Sequence, residues 1–285
     1  MRSSLAMHET AMTDSHAQPG SAARNDTTLP VSELFVSVQG EGRLAGTPSR
    51  FIRLSGCNLR CKWCDTPYAS WRPESTAMTV RQIIEAPVFT GPRGVHVRHA
   101  VVTGGEPMMF PGVVDLCAAL KARGMHVTIE TAGTIDRDVP CDLLSVSPKL
   151  SNSTPSALEA VQLTARGDAL AGSSETGPGE GWSSRHEERR LNLPALGALL
   201  ARYPEHQVKF VVKNEQDLAE IEDVLARLRA LGAGDRVDPA DVLLMPEGTP
   251  PTQARMQWAA EACIARGWRY CHRVHQDVYG NRRGT

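Results

Sequence analysis

The rhythm of apolar and polar residues changes at Leu29. Before it, residues 1–28 are rich in Ser, Ala, Thr and Asp with few large apolar groups, the composition of a disordered tail. After it, short β-branched and aromatic runs alternate with stretches of helical period. VSELFVSVQGEG (31–42) reads as a strand closing in a glycine-rich turn, and SRFIRLSG (49–56) as a second strand. MTVRQIIEA (78–86) has helical spacing, RHAVVTGGEP (98–107) is a buried strand with a glycine turn, and GVVDLCAALKARG (112–124) is an amphipathic helix stopped by Gly124. The pattern then repeats. Strands are predicted in MHVTIETAG, CDLLSVSPK, HQVKFVVKN and ADVLLMPEG, helices in NEQDLAEIEDVLARLRALG and TQARMQWAAEACIARG, and a last strand in WRYCHRVH.

Strands alternating with helices of about ten to fifteen residues predict βα units and a parallel sheet. Counting from Phe51 gives about six units, too few for a closed eight-stranded barrel. The expected fold class is therefore α/β, a partial, open parallel (β/α)6-type barrel in a single domain spanning 29–285. Residues 151–190 break the rhythm, being rich in Ser, Gly, Glu and Thr around TGPGEGWSSRHEERR. They read as a flexible insertion after the Ser147–Pro148–Lys149 turn, with Trp182 as an anchor. In parallel folds of this kind ligands gather at the carboxyl ends of the strands.

Charge narrows the partners. With 31 basic and 32 acidic side chains in 285 residues, the net charge of −1 provides no broad footprint for nucleic acid or an anionic membrane, which points to a small-molecule substrate. No apolar run reaches membrane-spanning length and the first thirty residues lack a signal-peptide centre, so a cytoplasmic protein is expected. Seven cysteines are present. Three sit too close together for a disulfide framework, and Cys117, Cys141, Cys263 and Cys271 read as reduced thiols. Cys271, His272 and His275 lie close in sequence, but on a strand their side chains would partly point to opposite faces and form no metal site.

The close trio is Cys57, Cys61 and Cys64 in GCNLRCKWCDTP. Four thiolates satisfy a cubane iron-sulfur cluster; three leave one iron open to a small molecule. Gly56 gives the chain room to curl around an inorganic core. A zinc knuckle or a set of buried thiols is the alternative, although zinc takes a fourth protein ligand and no such partner lies nearby in the sequence. Further polar groups recur at predicted strand ends. Thr103–Pro107 (TGGEP) offers close backbone approach and, in Glu106, a carboxylate for an ammonium group. Glu130 and Thr131 could accept from a diol, Ser147, Pro148 and Lys149 offer a hydroxyl, a rigid turn and a cation, and Met245 and Pro246 an apolar thioether and backbone suited to an adenine face.

The Cys-x3-Cys-x2-Cys spacing, Trp63 before the third cysteine and the TGGEP turn resemble radical S-adenosylmethionine (SAM) enzymes. SVQGEG, FIRLSGCNLRCKWCDTPYA, TGGEP, ETAGT and SPK, in this order from Leu34 to Lys149, are similar to the 7-carboxy-7-deazaguanine synthase family. That resemblance implies a radical SAM barrel and conversion of 6-carboxy-5,6,7,8-tetrahydropterin to 7-carboxy-7-deazaguanine with loss of ammonia, on the route to queuosine or related deazapurines. It also implies a [4Fe-4S] cluster on Cys57, Cys61 and Cys64, with SAM at its open iron contacting Trp63, Asp65, Gly105, Ser147, Pro148 and Lys149, to which Glu106, Glu130, Met245 and Pro246 add candidate SAM contacts by their chemistry. The pterin would meet Val38, Gln39, Gly40, Arg53 and Thr103. Thr66 would join a Mg2+ site, an electron donor such as flavodoxin or ferredoxin would feed the cluster, and the chain would form a homodimer. Ala132 departs from the family, which often has Asn there. The C-terminal arginines of HQDVYGNRRGT are candidates to close over substrate. Two alternatives stay open at this point: another radical SAM enzyme such as a glycyl-radical activase, and a non-catalytic metal-binding module.

Overall fold

A computed structural model describes residues 26–165, 181–232, 237–280 and 282–285. Most of the 1–28 tail and the centre of the 151–190 segment lie outside the described residues. Nine strands form one sheet: β1 (Thr28–Val38), β2 (Pro48–Leu54), β3 (Thr76–Thr79), β4 (His99–Gly104), β5 (His126–Thr131), β6 (Leu143–Val146), β7 (His206–Val212), β8 (Val242–Pro246) and β9 (Arg269–Tyr270). Their order is β3-β1-β2-β4-β5-β6-β7-β8-β9. From β2 to β9 every neighbour pair is parallel, while β1 runs antiparallel to both β2 and β3. The first and last strands do not pair, so the barrel is open, with six full parallel strands and a two-residue seventh.

Nine α-helices are described: α1 (Val80–Ile84), α2 (Pro87–Thr90), α3 (Val113–Ala122), α4 (Ala157–Ala165), α5 (Trp182–Arg189), α6 (Leu193–Arg202), α7 (Glu215–Ala230), α8 (Gln253–Arg266) and α9 (Val274–Tyr279). Their ends follow local chemistry. Asn214 accepts from the Gln216 amide and forms a capping box with Asp217 at the start of α7, and Arg227 and Arg229 occupy its last turn, where cations offset the exposed carbonyls. Gly267, at φ +70°, ends α8. The buried stripe of α7, Leu218, Ile221, Leu225 and Leu228, repeats at three and four residues and packs the helix on the sheet.

Period two along the strands sorts their side chains into two layers. Ile52 and Leu54, Ala100 and Val102, Val127 and Ile129, Leu144 and Val146, and Val208, Phe210 and Val212 all enter one core with the helices. Each Val, Leu, Ile or Phe among them contributes about 1.5–3 kcal/mol if its side chain is fully withdrawn from water. The alternate positions face the other way: Phe51 and Arg53, Val101 and Thr103, Glu130, Ser145, Lys209 and Val211, and Met245 all but Val101 line one cavity. The polar residues hidden inside apolar-looking strands are thus its interior.

The structure departs from the sequence reading in three places. The start of MTVRQIIEA is edge strand β3, which pairs with β1, and only Val80–Ile84 is helical, behind the capping box of Thr79 and Gln82. WRYCHRVH holds a strand of two residues and passes into α9, so His275 sits on a helix. The segment 151–190, read as a flexible insertion, is helical at its described ends in α4 and α5. Among the described residues no helix is long and apolar enough to cross a membrane.

Candidate active site

The cysteine loop leaves the carboxyl end of β2 and is held from below by β4. Gly56 N donates to Ala69 O at 2.8 Å, Gly105 N to Leu54 O at 3.0 Å and Glu106 N to Gly56 O at 2.8 Å. A Cβ on Gly105 would stand 2.2 Å from Gly56 O and 2.5 Å from Ala69 O, which is why this crossing needs glycine. Arg60 Nη1 folds back to donate to the carbonyls of Cys57 and Leu59, both at 2.7 Å. All three cysteines are free and share an apolar wall with Leu59, Ala132 and Trp63. Burial pushes the Cys57 thiol up to about 12, with Glu106 adding to the shift. Burial likewise raises Cys61 and Cys64. Such thiols give up their protons only when a metal stabilises the thiolates.

Among the described residues no three His, Cys, Asp or Glu side chains converge closely enough to hold a single ion. Three soft thiolate donors at the edge of one cavity are the donor set of an iron-sulfur cluster with one iron left open to a ligand.

The cavity beside them has a volume of about 210 Å³. At its centre Glu130 accepts from Gln39 Nε2 on Oε1 and from Thr103 Oγ1 on Oε2, both at 3.0 Å. Arg53 spends its Nε on Glu33 Oε2 at 2.9 Å and lies 5.7 Å over the ring of Phe35, which stacks on Phe51 with centroids 4.7 Å apart. Lys149 Nζ donates to Ser147 O at 2.9 Å and Oγ at 2.8 Å, 5.8 Å from the Trp63 ring. Thr66 Oγ1 is 3.8 Å from Cys64 Sγ, beside the exposed Asp65.

One cavity therefore collects Cys57, Cys61, Cys64, Trp63, Asp65, Thr66, Gly105, Glu130, Ser147, Lys149, Met245, Val38, Gln39, Gly40, Arg53 and Thr103. Three expected cofactor contacts are not among its lining residues: Glu106, Pro148 and Pro246. Glu106, fully buried, accepts from Met108 N at 3.0 Å, Thr131 Oγ1 at 2.7 Å and Ala132 N at 2.8 Å, so its carboxylate ties β4 to β5 rather than waiting for an ammonium group. Pro246 turns its carbonyl to Arg273 at 3.0 Å. Glu130, expected at a ribose, accepts from Gln39 and Thr103, two residues expected at the pterin, and keeps acceptor capacity on both oxygens. Arg283 closes on the rim rather than the cavity: it donates to Glu33 and Glu74, both at 2.8 Å, and stacks 4.0 Å over Tyr68.

The cavity also contains residues to which the sequence reading gave no role. Glu41 and Lys209 form a buried ion pair in its wall. Burial alone would neutralise both, but Lys209 brings the Glu41 carboxyl below its ordinary value, and Glu41, helped by Glu130, holds the ammonium above its own. His275 and Thr285 complete the lining. His275 packs so closely that a Cβ on Gly40 would meet its Nδ1 at 1.7 Å, and Val274 N donates to Gly40 O at 2.9 Å. A lone glutamate, lysine or histidine carries no signal of its own, and only the EG turn after Gln39 could have flagged Glu41.

The family described as Radical SAM superfamily matches residues 51–149. The chain is 43% identical to the 7-carboxy-7-deazaguanine synthase of Rhodopirellula baltica over 94% of its length and 93% of that protein. It is 44% identical to the enzyme of that name from Halobacterium salinarum over 89% of this chain and 91% of that one. The crystal structure of QueE from Escherichia coli shares the fold, with a TM-score of 0.58 at 22% identity, covering 89% of this chain and 98% of that one. An open parallel half-barrel with three thiols at the end of its first parallel strand defines a radical SAM enzyme, which works with a [4Fe-4S] cluster and SAM. Within that superfamily, the chain belongs to the 7-carboxy-7-deazaguanine synthase family.

Proposed function

We propose that the protein converts 6-carboxy-5,6,7,8-tetrahydropterin into 7-carboxy-7-deazaguanine with release of ammonia, in queuosine or related deazapurine biosynthesis. The observation that carries this reading is that the three thiols and the Gln39–Glu130–Thr103 network open into the same cavity. Cys57, Cys61 and Cys64 would hold the cluster, with SAM bounded by Trp63, Gly105, Ser147, Lys149 and Met245. When bound, the two supply a 5′-deoxyadenosyl radical able to take hydrogen from a carbon of the substrate.

The chain's own residues bind and orient. The guanidinium of Arg53, fixed through Nε and stacked on Phe35, suits a substrate carboxylate. Glu130, held rigid from both sides, offers its remaining lone pairs to N–H groups of a heterocycle edge. The Glu41–Lys209 pair keeps fixed opposite charges in a wall shielded from water, where their field acts strongly on a polar ring. The reading extends to a Mg2+ site that includes Thr66 Oγ1, supported by the place of Thr66 in the cavity wall. It also extends to a one-electron donor such as flavodoxin or ferredoxin, a homodimer and a cytoplasmic setting, as the family resemblance implies. Anaerobic reconstitution with iron, sulfide, SAM, reductant and carboxytetrahydropterin, followed by product analysis, tests it. Formation of 7-carboxy-7-deazaguanine and ammonia is expected; SAM cleavage with no deazapurine would overturn the substrate.

A further inference from the structure

His186 lies on α5, well outside every motif that identifies the cluster loop, yet it is completely buried against that loop. Its Nδ1 accepts the backbone N–H of Arg60 at 3.0 Å, between the first two cysteines. Its Nε2 is 2.9 Å from Ser153 Oγ, and that hydroxyl already donates to Leu150 O at 2.6 Å. The directions are therefore fixed. Nδ1 is the acceptor, Nε2 carries the hydrogen, Ser153 Oγ receives it, and the ring is a neutral imidazole in one tautomer.

The rest of the bracket follows the same line. Lys62 N donates to Ser153 O at 2.9 Å, and Trp63 Nε1 to Asn152 O at 3.1 Å. The Arg60 guanidinium stacks 4.2 Å over the Trp182 ring, also on α5. Behind α5, Arg190 donates to Lys149 O at 3.0 Å and to Glu220 at 2.7 Å, and Glu220 in turn receives Ser151 N at 2.9 Å. The backbone of residues 60–63, which spans the second cysteine and reaches the third, thus hangs on the turn at 151–153 and on one imidazole.

We propose that His186 is a positioning residue for the iron-sulfur centre: by fixing the Arg60 amide it holds the Cys57–Cys61 stretch in the form that ligates iron and sets the cluster's environment. The inference rests on the assignment of the cluster to Cys57, Cys61 and Cys64. Removing the acceptor leaves the Arg60 N–H buried without a partner, and the loop must move to solvate it. Groups that orient metal ligands from behind are worth about 10–100-fold in metal affinity.

The test uses the anaerobically reconstituted full chain as wild type, His186→Leu, His186→Asn and Ser153→Ala. The Asn amide oxygen can replace Nδ1 as acceptor, and Ser153→Ala removes only the outer bond. The readouts are iron and sulfide per chain, the electron paramagnetic resonance spectrum of the reduced cluster with and without SAM, its midpoint potential, and the rate of iron loss to a chelator. Thermal melting of the cluster-free chains monitors the fold. Iron loss about tenfold faster in His186→Leu, with an altered spectrum and potential, an intermediate effect in Ser153→Ala and recovery in His186→Asn, is expected. If His186→Leu does not fold, Ser153→Ala carries the test: a spectrum and loss rate equal to wild type overturn the inference. A His186→Leu cluster indistinguishable from wild type, or one that His186→Asn does not restore, overturns the inference alone. A wild-type chain that takes up no cluster overturns it together with the cluster assignment.

Discussion

Gln39 Nε2 donates to Glu130 Oε1 at 3.0 Å although 91 residues separate the two in sequence. Gln39 stands in the turn after antiparallel β1, and Glu130 near the end of parallel β5. The bond therefore closes a cavity across the sheet, with Thr103 of β4 on the second carboxylate oxygen. Replacing Gln39 by Glu sets two carboxylates at hydrogen-bond distance, which disfavours both being charged. A fall in kcat/KM of at least about tenfold is expected, about 1.4 kcal/mol of lost transition-state stabilisation. Steady-state kinetics of deazapurine formation checks it, and unchanged kcat/KM would remove Glu130 from substrate binding.

Cys61→Ala separates a cofactor ligand from a structural thiol. The sheet core of Ile52, Val102, Ile129 and Phe210 does not include Cys61. Iron should fall from about four per chain to near zero and SAM cleavage should stop, while the circular dichroism of the cluster-free chain stays as in wild type. Loss of the fold instead would favour a structural metal module.

The buried Glu41–Lys209 pair predicts an asymmetric double-mutant cycle. Lys209→Met leaves a carboxylate buried without its partner and should cost about 3–5 kcal/mol in chemical denaturation. Adding Glu41→Gln should restore most of that stability, since no unpaired charge remains, but not the turnover. A single variant as stable as wild type would mean that the pair is hydrated in solution.

Gly105→Ala should disturb the cluster loop without touching a thiol. The new methyl would stand 2.2 Å from Gly56 O, so either the β4 turn or the start of the loop must shift. A loss of about 1–3 kcal/mol in stability is expected, together with lower iron uptake on reconstitution. Full iron incorporation would show that the shift is taken up by β4.

His99 gives the fold an acid-sensitive component. Its Nδ1 lies 2.7 Å from Ser49 Oγ and its Nε2 2.8 Å from Thr128 Oγ1. Burial, and then His126, lowers its pKa to about 4, with Asp142 opposing. The unfolded chain takes up this proton below pH ~6.5 and the folded chain resists it until about 4, so stability is full above ~6.5 and declines as the pH falls through that window. Between pH 7.5 and 5 the contribution amounts to about 2 kcal/mol. Guanidinium denaturation of the cluster-free chain should show wild type losing that much more than His99→Gln, and parallel curves would refute the assignment.

The sequence by itself determined the local chemistry and the class of fold. Three cysteines at fixed spacing, glycines at strand ends and six apolar strands separated by helices are short-range facts, and the cysteine loop, the TGGEP turn and the open parallel barrel follow from them. It could not decide which face of each strand is inside. In HQVKFVV period two sends Val208, Phe210 and Val212 to the helices and Lys209 to the opposite face, and nothing local says that this polar face is a cavity wall rather than a solvated surface. Nor could it pair Glu41 with Lys209, set His275 against Gly40, turn Glu106 into a buried tie, or bring His186 onto the loop at Arg60. Those outcomes depend on which charges and hydrogen-bonding groups meet once the sheet has curled, and burial obliges each of them to find a partner. Only the tertiary structure supplies that partner.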